Sequence, residues 1–233
     1  IYIEVNMMEI EKWLNDVLEK KNKRAMPIIT FPAATKLNIS VKKLINDTDQ
    51  QVAALKIIKE ECNPLAILGF MDLSVEAECF GAEIKVTDNE VPTVVGQLIE
   101  DEDDAQALKV PAVGSGRSQL YIDAIKKTKA EIKDIPILGG CIGPFSLAGR
   151  LMDVSEAMIN CYEEPEMVHI VLEKATKFLI DYISAYKEAG ADGILMAEPL
   201  AGVLSPVLAT EFSSTYVKKI VTAVQDENFM VVY

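Results

Sequence analysis

The sequence predicts an α/β fold of alternating strands and helices, either a (β/α) barrel or an open doubly wound sheet. Three observations predict it. Short apolar runs at Leu65–Phe70, Ile135–Gly140, Gly193–Ala197 and Phe229–Tyr233 alternate with longer stretches of helical periodicity. The run Gly193-Ile-Leu-Met-Ala197 is small and apolar throughout, as a parallel strand covered on both faces requires. Two of these runs give way to an acid, Asp72 and Glu198, at the strand carboxyl end where parallel α/β folds bind ligands. Glu198 is therefore a candidate site acid; the alternative is a loop acid that caps the next helix or is simply solvated.

From Met7 to Lys23, apolar residues at Met7, Ile10, Trp13, Leu14, Val17 and Leu18 keep helical spacing. This gives an N-terminal helical segment over 1–26, ahead of a barrel domain over 27–233, with Trp13 used for packing. Pro27–Phe31 reads as a short strand ended by Pro32, followed by the loop FPAATKLNIS. Thr48–Glu61 reads as a helix capped by Asp47 or Thr48, with Val52, Leu55, Ile58 and Cys62 on one face. The strand Leu65–Phe70 ends at Met71-Asp72, Ser74–Phe80 forms a short helix or turn, and Gly81 breaks it. Ala82–Pro92 alternates and turns at Asp88-Asn89, which suggests a hairpin. The acidic run Glu100–Asp104 lacks the glycine and ligand interleaving of a calcium loop, so it reads as a solvated helix start.

Gly114-Ser-Gly116 opens a helix over Ser118–Lys133; without a third glycine or a strand directly before it, it is a weak phosphate signal. The strand Ile135–Gly140 leads into CIGPFSLAGRL, where Gly139, Gly140 and Gly143 permit close approach of a ligand or neighbour. Asp153–Cys161 is a helix, and Pro165 starts a long one to Glu188 with Val168, Leu172, Ala175, Leu179 and Tyr182 or Ile183 inward. The single histidine, His169, lies in its first turns and reads as a surface or packing residue. Gly190 suits the helix C-cap. Ser205-Pro206 starts a further helix through Val224, and Phe229–Tyr233 opens a fifth strand. A (β/α)8 barrel takes about 250 residues, so the sequence is expected to be part of a longer protein. Uncovered sheet edges would favour association.

The chain has 233 residues and a net charge of −13, with only three arginines (Arg24, Arg117, Arg150) among its 23 basic residues. That balance argues against nucleic acid and against an anionic membrane surface. Four cysteines (Cys62, Cys79, Cys141, Cys161) lie far apart without a C-x-x-C, so reduced thiols and a cytoplasmic setting are expected. No apolar run is long enough to span a membrane and no signal-peptide pattern opens the chain.

Phe70-Met-Asp-Leu-Ser-Val-Glu-Ala-Glu-Cys-Phe-Gly81, Gly143-Pro-Phe-Ser-Leu-Ala148, Ala189-Gly-Ala-Asp-Gly193, Glu198-Pro-Leu-Ala-Gly202 and Leu204-Ser-Pro206 together resemble the uroporphyrinogen decarboxylase superfamily. The resemblance implies a (β/α)8 TIM barrel, here lacking its C-terminal βα units, and one of two chemistries. The decarboxylases use an arginine-bearing segment after the first strand, but the corresponding loop FPAATKLNIS has none, and lysine substitutes poorly for arginine's planar fork. Their tyrosine after the G-P-[FW]-[ST] motif is replaced by Arg150 and their serine after the fourth-strand acid by Pro199; Asp72 matches their aspartate.

The stretch DLSVEAECFG looks closer to the corrinoid-linked methyltransferases, such as those acting on methylcobamide and coenzyme M. Those enzymes hold a thiol on zinc, which lowers its pKa and makes the thiolate nucleophile. The resemblance thus implies zinc, a methylated corrinoid, a corrinoid protein partner and a small thiol substrate, and suggests a homodimer. In that branch the zinc ligands are a His-x-Cys pair after the next strand and a later cysteine. No residue of this sequence matches them, so no metal ligand is carried over. Asp72 and Glu198 are the expected catalytic acids. Phe31, Met71, Gly143, Pro144, Phe145, Arg150 and Gly202 are the expected substrate-binding residues, with Arg150 facing either an anionic group or Asp153. The other readings are uroporphyrinogen decarboxylation and a non-catalytic corrinoid-protein binding module.

Overall fold

The structure, a computed structural model, describes residues 9–233. Helix α1 (Ile10–Glu19) is followed by irregular chain, then α2 (Ala33–Leu37), α3 (Val41–Ile45), α4 (Thr48–Cys62) and strand β1 (Ile67–Leu68). Next come α5 (Val75–Phe80), the hairpin β2 (Glu83–Lys85) and β3 (Thr93–Val95), α6 (Glu102–Ala107) and α7 (Ser118–Glu131). Strand β4 (Ile137–Ile142), α8 (Pro144–Met152), α9 (Val154–Glu163), α10 (Pro165–Glu188) and β5 (Gly193–Ala197) continue the alternation. A 3-10 turn (Pro199–Val203), α11 (Pro206–Ala209), a π turn (Thr210–Ser214), α12 (Thr215–Val224) and β6 (Met230–Val232) complete it.

The main sheet is four-stranded and wholly parallel, in the order β1-β4-β5-β6. Each neighbour is reached through a helical crossover, as parallel pairing demands. The register aligns Leu68, Leu138, Gly193 and Met230 in one row. On one face Ile67, Ile137, Cys141, Ile194 and Met196 join the larger core. Its spine is α10, whose Val168, Leu172, Ala175, Leu179 and Ile183 are all fully buried, as their helical spacing predicts. Close helix–strand packing dictates Gly139: a Cβ there would sit 2.8 Å from Ile194 and 2.9 Å from the Tyr186 ring. On the other face a smaller core gathers Ala66, Leu68, Leu138 and Met230 against Ile10 of α1. At the strand amino ends Asp192 accepts the Ile137 amide at 2.8 Å and an ion pair from Lys129, which ties β4 and β5 to α7.

Several expectations need correction. Pro27–Phe31 is not a strand: Leu65 donates to the Ala25 carbonyl at 2.7 Å, and no ladder continues through Pro27, which has no N–H to offer. The segment CIGPFSLAGRL, in which the sequence reading marks no element, contains a full helix, α8, started by Pro144 at its first position. The helix expected from Pro206 to Val224 is broken by the π turn, although Phe212, Tyr216, Val217, Ile220 and Val224 are buried as expected. Cys62 is exposed rather than on the buried face of α4. Met7, the expected start of the first helix, lies outside the described residues.

Candidate functional site

Asp72 and Glu198 follow β1 and β5, parallel strands of one sheet, and so lie at the same end of it. They do not share a pocket. The Asp72 side chain is fully buried, at 0% exposure, whereas Glu198 borders a cavity of about 370 Å³ lined also by Met196, Ala201, Gly202, Ser214 and Tyr233.

Asp72 is closed off by Arg117, which reaches it from the start of α7. Arg117 Nη1 donates to Asp72 Oδ2 at 2.5 Å, and the Tyr121 hydroxyl donates to the same oxygen at 2.8 Å. Ser74 supplies Oδ1 with its hydroxyl at 2.6 Å and its amide at 3.2 Å. The guanidinium spends its other donors on Glu78 through Nε at 2.7 Å and on Ser74 Oγ through Nη2 at 3.0 Å. Burial works against the Arg117 charge, but Asp72, Tyr121 and Glu78 outweigh it and raise its pKa. Burial and then Asp72 push the Tyr121 hydroxyl up as well. The turn Gly114-Ser-Gly116 aims this arginine. Gly116 has φ +52°, and a Cβ on it would come 3.2 Å from Glu78, so glycine lets the turn close against the acid that Arg117 binds.

Glu198 is used differently. Its carboxylate reaches back to the N-terminus of α8, accepting the Phe145 amide at 2.9 Å and the Ser146 amide at 2.5 Å. It caps a helix, as one reading of the sequence allowed, but the preceding α8 rather than the helix that follows. Ile142 donates to Glu76 Oε1 at 3.0 Å, Gly143 to the Ala197 carbonyl at 2.7 Å, and Pro144 has no N–H. Every amide from Ile142 to Ser146 is therefore matched. Gly143 is required by this docking, because its Cβ would fall 2.5 Å from Glu198 Oε2. Burial raises the Glu198 pKa, opposed by the Ser146 hydroxyl, the two amides and the Ser213 hydroxyl.

A third acid, Glu76 on α5, is fully buried, and its Oε2 has no partner among the described residues. Burial pushes its pKa up to about 7 against the pull of the Ile142 amide. Sequence reading passed over Glu76, Arg117 and Ser213. The legible signal for Arg117 is its position: a cation at a helix N-terminus opposes the helix dipole, a local conflict that points to a tertiary partner.

Of the other expected site residues, Gly202 borders the Glu198 cavity and has open space where a Cβ would go. Met71 lies over Gly140, whose Cβ would come 2.5 Å from its sulfur, and Phe31 packs edge-on to Phe70 at 5.7 Å. Pro144 and Phe145 are buried, and Phe145 meets Glu198 through its amide while its ring belongs to the core. Arg150 lies in the last turn of α8, about 9 Å along the helix axis from Pro144. It forms no ion pair among the described residues, and Asp153 instead caps α9 through the Ser155 amide at 2.8 Å. His169 is a packing residue, stacked on Phe212 at 4.7 Å with Nδ1 2.8 Å from the Tyr216 hydroxyl. All four cysteines are unpaired. No group of three or more His, Cys, Asp or Glu among the described residues could hold a metal ion, so these residues do not fit a zinc site. No described helix is long and apolar enough to cross a membrane.

Comparison with known proteins identifies relatives of the chain. The chain is 32% identical over 160 residues to methylcobamide:CoM methyltransferase MtbA of Methanosarcina acetivorans, covering 66% of this chain and 47% of that protein. It is 29% identical over 168 residues to uroporphyrinogen decarboxylase of Coxiella burnetii, covering 68% and 45%. It thus spans about half the length of the curated relatives it matches. A solved methyltransferase from Methanosarcina mazei superposes with a TM-score of 0.82 over 97% of this chain and 68% of that one; at 24% identity this speaks for the fold. The uroporphyrinogen decarboxylase (URO-D) profile matches residues 22–233, and with the parallel sheet described above it establishes that the chain belongs to that family and has its (β/α) barrel architecture.

Proposed function

We propose that the protein serves methyl transfer from a methylated corrinoid to a small thiol such as coenzyme M. The observation that carries this reading is the condition of Asp72. The resemblance to decarboxylases would have this acid meet pyrrole rings, yet both its oxygens are taken by Arg117, Tyr121 and Ser74 and its side chain is fully buried. Asp72 then acts as an anchor for Arg117. The relatives named as methylcobamide:CoM methyltransferases support the same reading.

Glu198 is the acid left facing a cavity, and burial raises its proton affinity. In the proposed step the thiol proton passes to Glu198 and a sulfur–carbon bond forms. The bond between the methyl group and its carrier breaks, and its electron pair stays with the carrier. Zinc is implied by the family branch, but the described residues do not fit it, and no part of this step is assigned to it. A corrinoid protein partner, a homodimer and a cytoplasmic location belong to the same proposal, as does the division into a helical segment over 1–26 and a barrel over 27–233. The test is incubation with methylcobalamin, zinc and coenzyme M, alongside a parallel reaction with uroporphyrinogen. Loss of the methylcobalamin absorbance with appearance of the methylated thiol is expected. Decarboxylation of uroporphyrinogen with methylcobalamin unchanged would overturn the reading in favour of the other branch.

A further inference from the structure

A cavity of about 570 Å³ opens where the chain enters β4 and β5, at the opposite end of the sheet from Glu198. Its volume is that of a small-molecule site. Helix α1 forms one wall with Lys12, Trp13 and Asp16, and Ile135, Pro136 and Asp192 form another. Trp13 is half-buried: it packs on the smaller core and also lines the cavity. A flat apolar surface thus stands beside a ring of charges.

Those charges do not cancel. Asp192 is matched by Lys129, and Asp134 by Lys59 at 2.7 Å. Of the other charged residues in the lining, four are cations (Lys12, Lys20, Arg24 and Lys133) and two are acids (Glu9 and Asp16). None of these six forms an ion pair among the described residues. Two of the cations are oriented without being neutralised. Arg24 Nη1 donates to the Asn63 side-chain oxygen at 3.1 Å, and Lys133 Nζ to the Lys129 carbonyl at 2.5 Å. Neutral acceptors fix these groups and leave their charge to act on an anion. In a chain of net charge −13, the local excess of two positive charges reverses the sign. That excess matches a phosphate monoester, which carries about −1.5 to −2 at neutral pH.

We propose that this cavity binds a planar aromatic phosphate of nucleotide size, with its ring on Trp13 and its phosphate on Arg24 and Lys133. The site is separate from the methyl-transfer reading and does not rest on it. Trp13 is the only tryptophan in the chain, so its fluorescence reports on this cavity. The experiment titrates the chain with adenosine monophosphate, alone and in competition with adenosine or inorganic phosphate. Saturable quenching by the monophosphate is expected, weakening as salt is added, and neither competitor displaces it at matched concentration. Arg24→Gln weakens binding about tenfold, the worth of one charge-assisted hydrogen bond. Asp16→Asn takes an acid out of the lining and tightens binding, an effect that no loss of fold can mimic. Absence of quenching would overturn the proposal, as would displacement by either competitor or an affinity that ignores either substitution.

Discussion

Arg117 and Asp72 stand 45 residues apart in sequence and form a buried pair with 7% and 0% side-chain exposure. Removing one partner leaves the other charged and buried without its counter-charge, which costs about 3–5 kcal/mol. Arg117→Ala is expected to lose that much in urea denaturation. Arg117→Lys should recover little of it, because a point ammonium cannot serve Asp72, Glu78 and Ser74 together. Glu76 yields a prediction of the opposite kind. Its folded pKa is raised from 4.5 to about 7, so the folded state binds more protons than the unfolded state between those values. Its contribution to stability is complete below the unfolded value and is lost as pH rises through about 7. Glu76→Gln, which never ionises, should therefore gain on the native protein by on the order of 3 kcal/mol between pH 5 and pH 8. Parallel urea curves with no pH-dependent difference would contradict this. The sequence exposed Asp72 and Glu198 because a strand end marks its acid locally. It hid Arg117 and Glu76, whose roles come from contacts across dozens of residues.

At the scale of the element, the start of α8 depends on Gly143 for space, since its φ of −83° is open to any residue. Gly143→Ala adds a methyl group where Glu198 docks and should cost about 1–3 kcal/mol, with the Phe145 and Ser146 amides losing protection in hydrogen exchange. Retained protection would show that the carboxylate is not held there. Long helices were legible because α4, α7 and α10 repeat their apolar positions over many turns. Helix α8 was not, because PFSLAGRLM is short and contains Gly149. Pro27–Phe31 misled in the other direction: its β-prone residues lack a continuing ladder, and Ile28 and Ile29 are 57% and 38% exposed. The hairpin after α5 was anticipated from its alternation, with its second strand falling at Thr93–Val95, just beyond the expected turn.

At the scale of the whole molecule, four parallel strands leave β1 and β6 as edge strands among the described residues. Leu14, Leu18 and Ile28 are exposed as well, at 45%, 74% and 57%. Open edges and apolar surface favour self-association, so sedimentation of the 25.6 kDa chain should report a species larger than a monomer. A single monomeric boundary at micromolar concentration would contradict this. The alternation of units and their parallel sense were readable from the order of apolar runs and crossovers. The pairing of β1 directly with β4, past an intervening hairpin, was not, because neighbour choice is settled by packing on α10 and α7 rather than by any local pattern.

The filled amides at the head of α8 carry one last consequence. A helix start beside a strand end commonly welcomes phosphate or sulfate, but here two glutamates and a carbonyl already occupy those donors. Oxyanions in a buffer would find this rim already saturated, and a cargo reaching it must be gripped by its side chains and its shape.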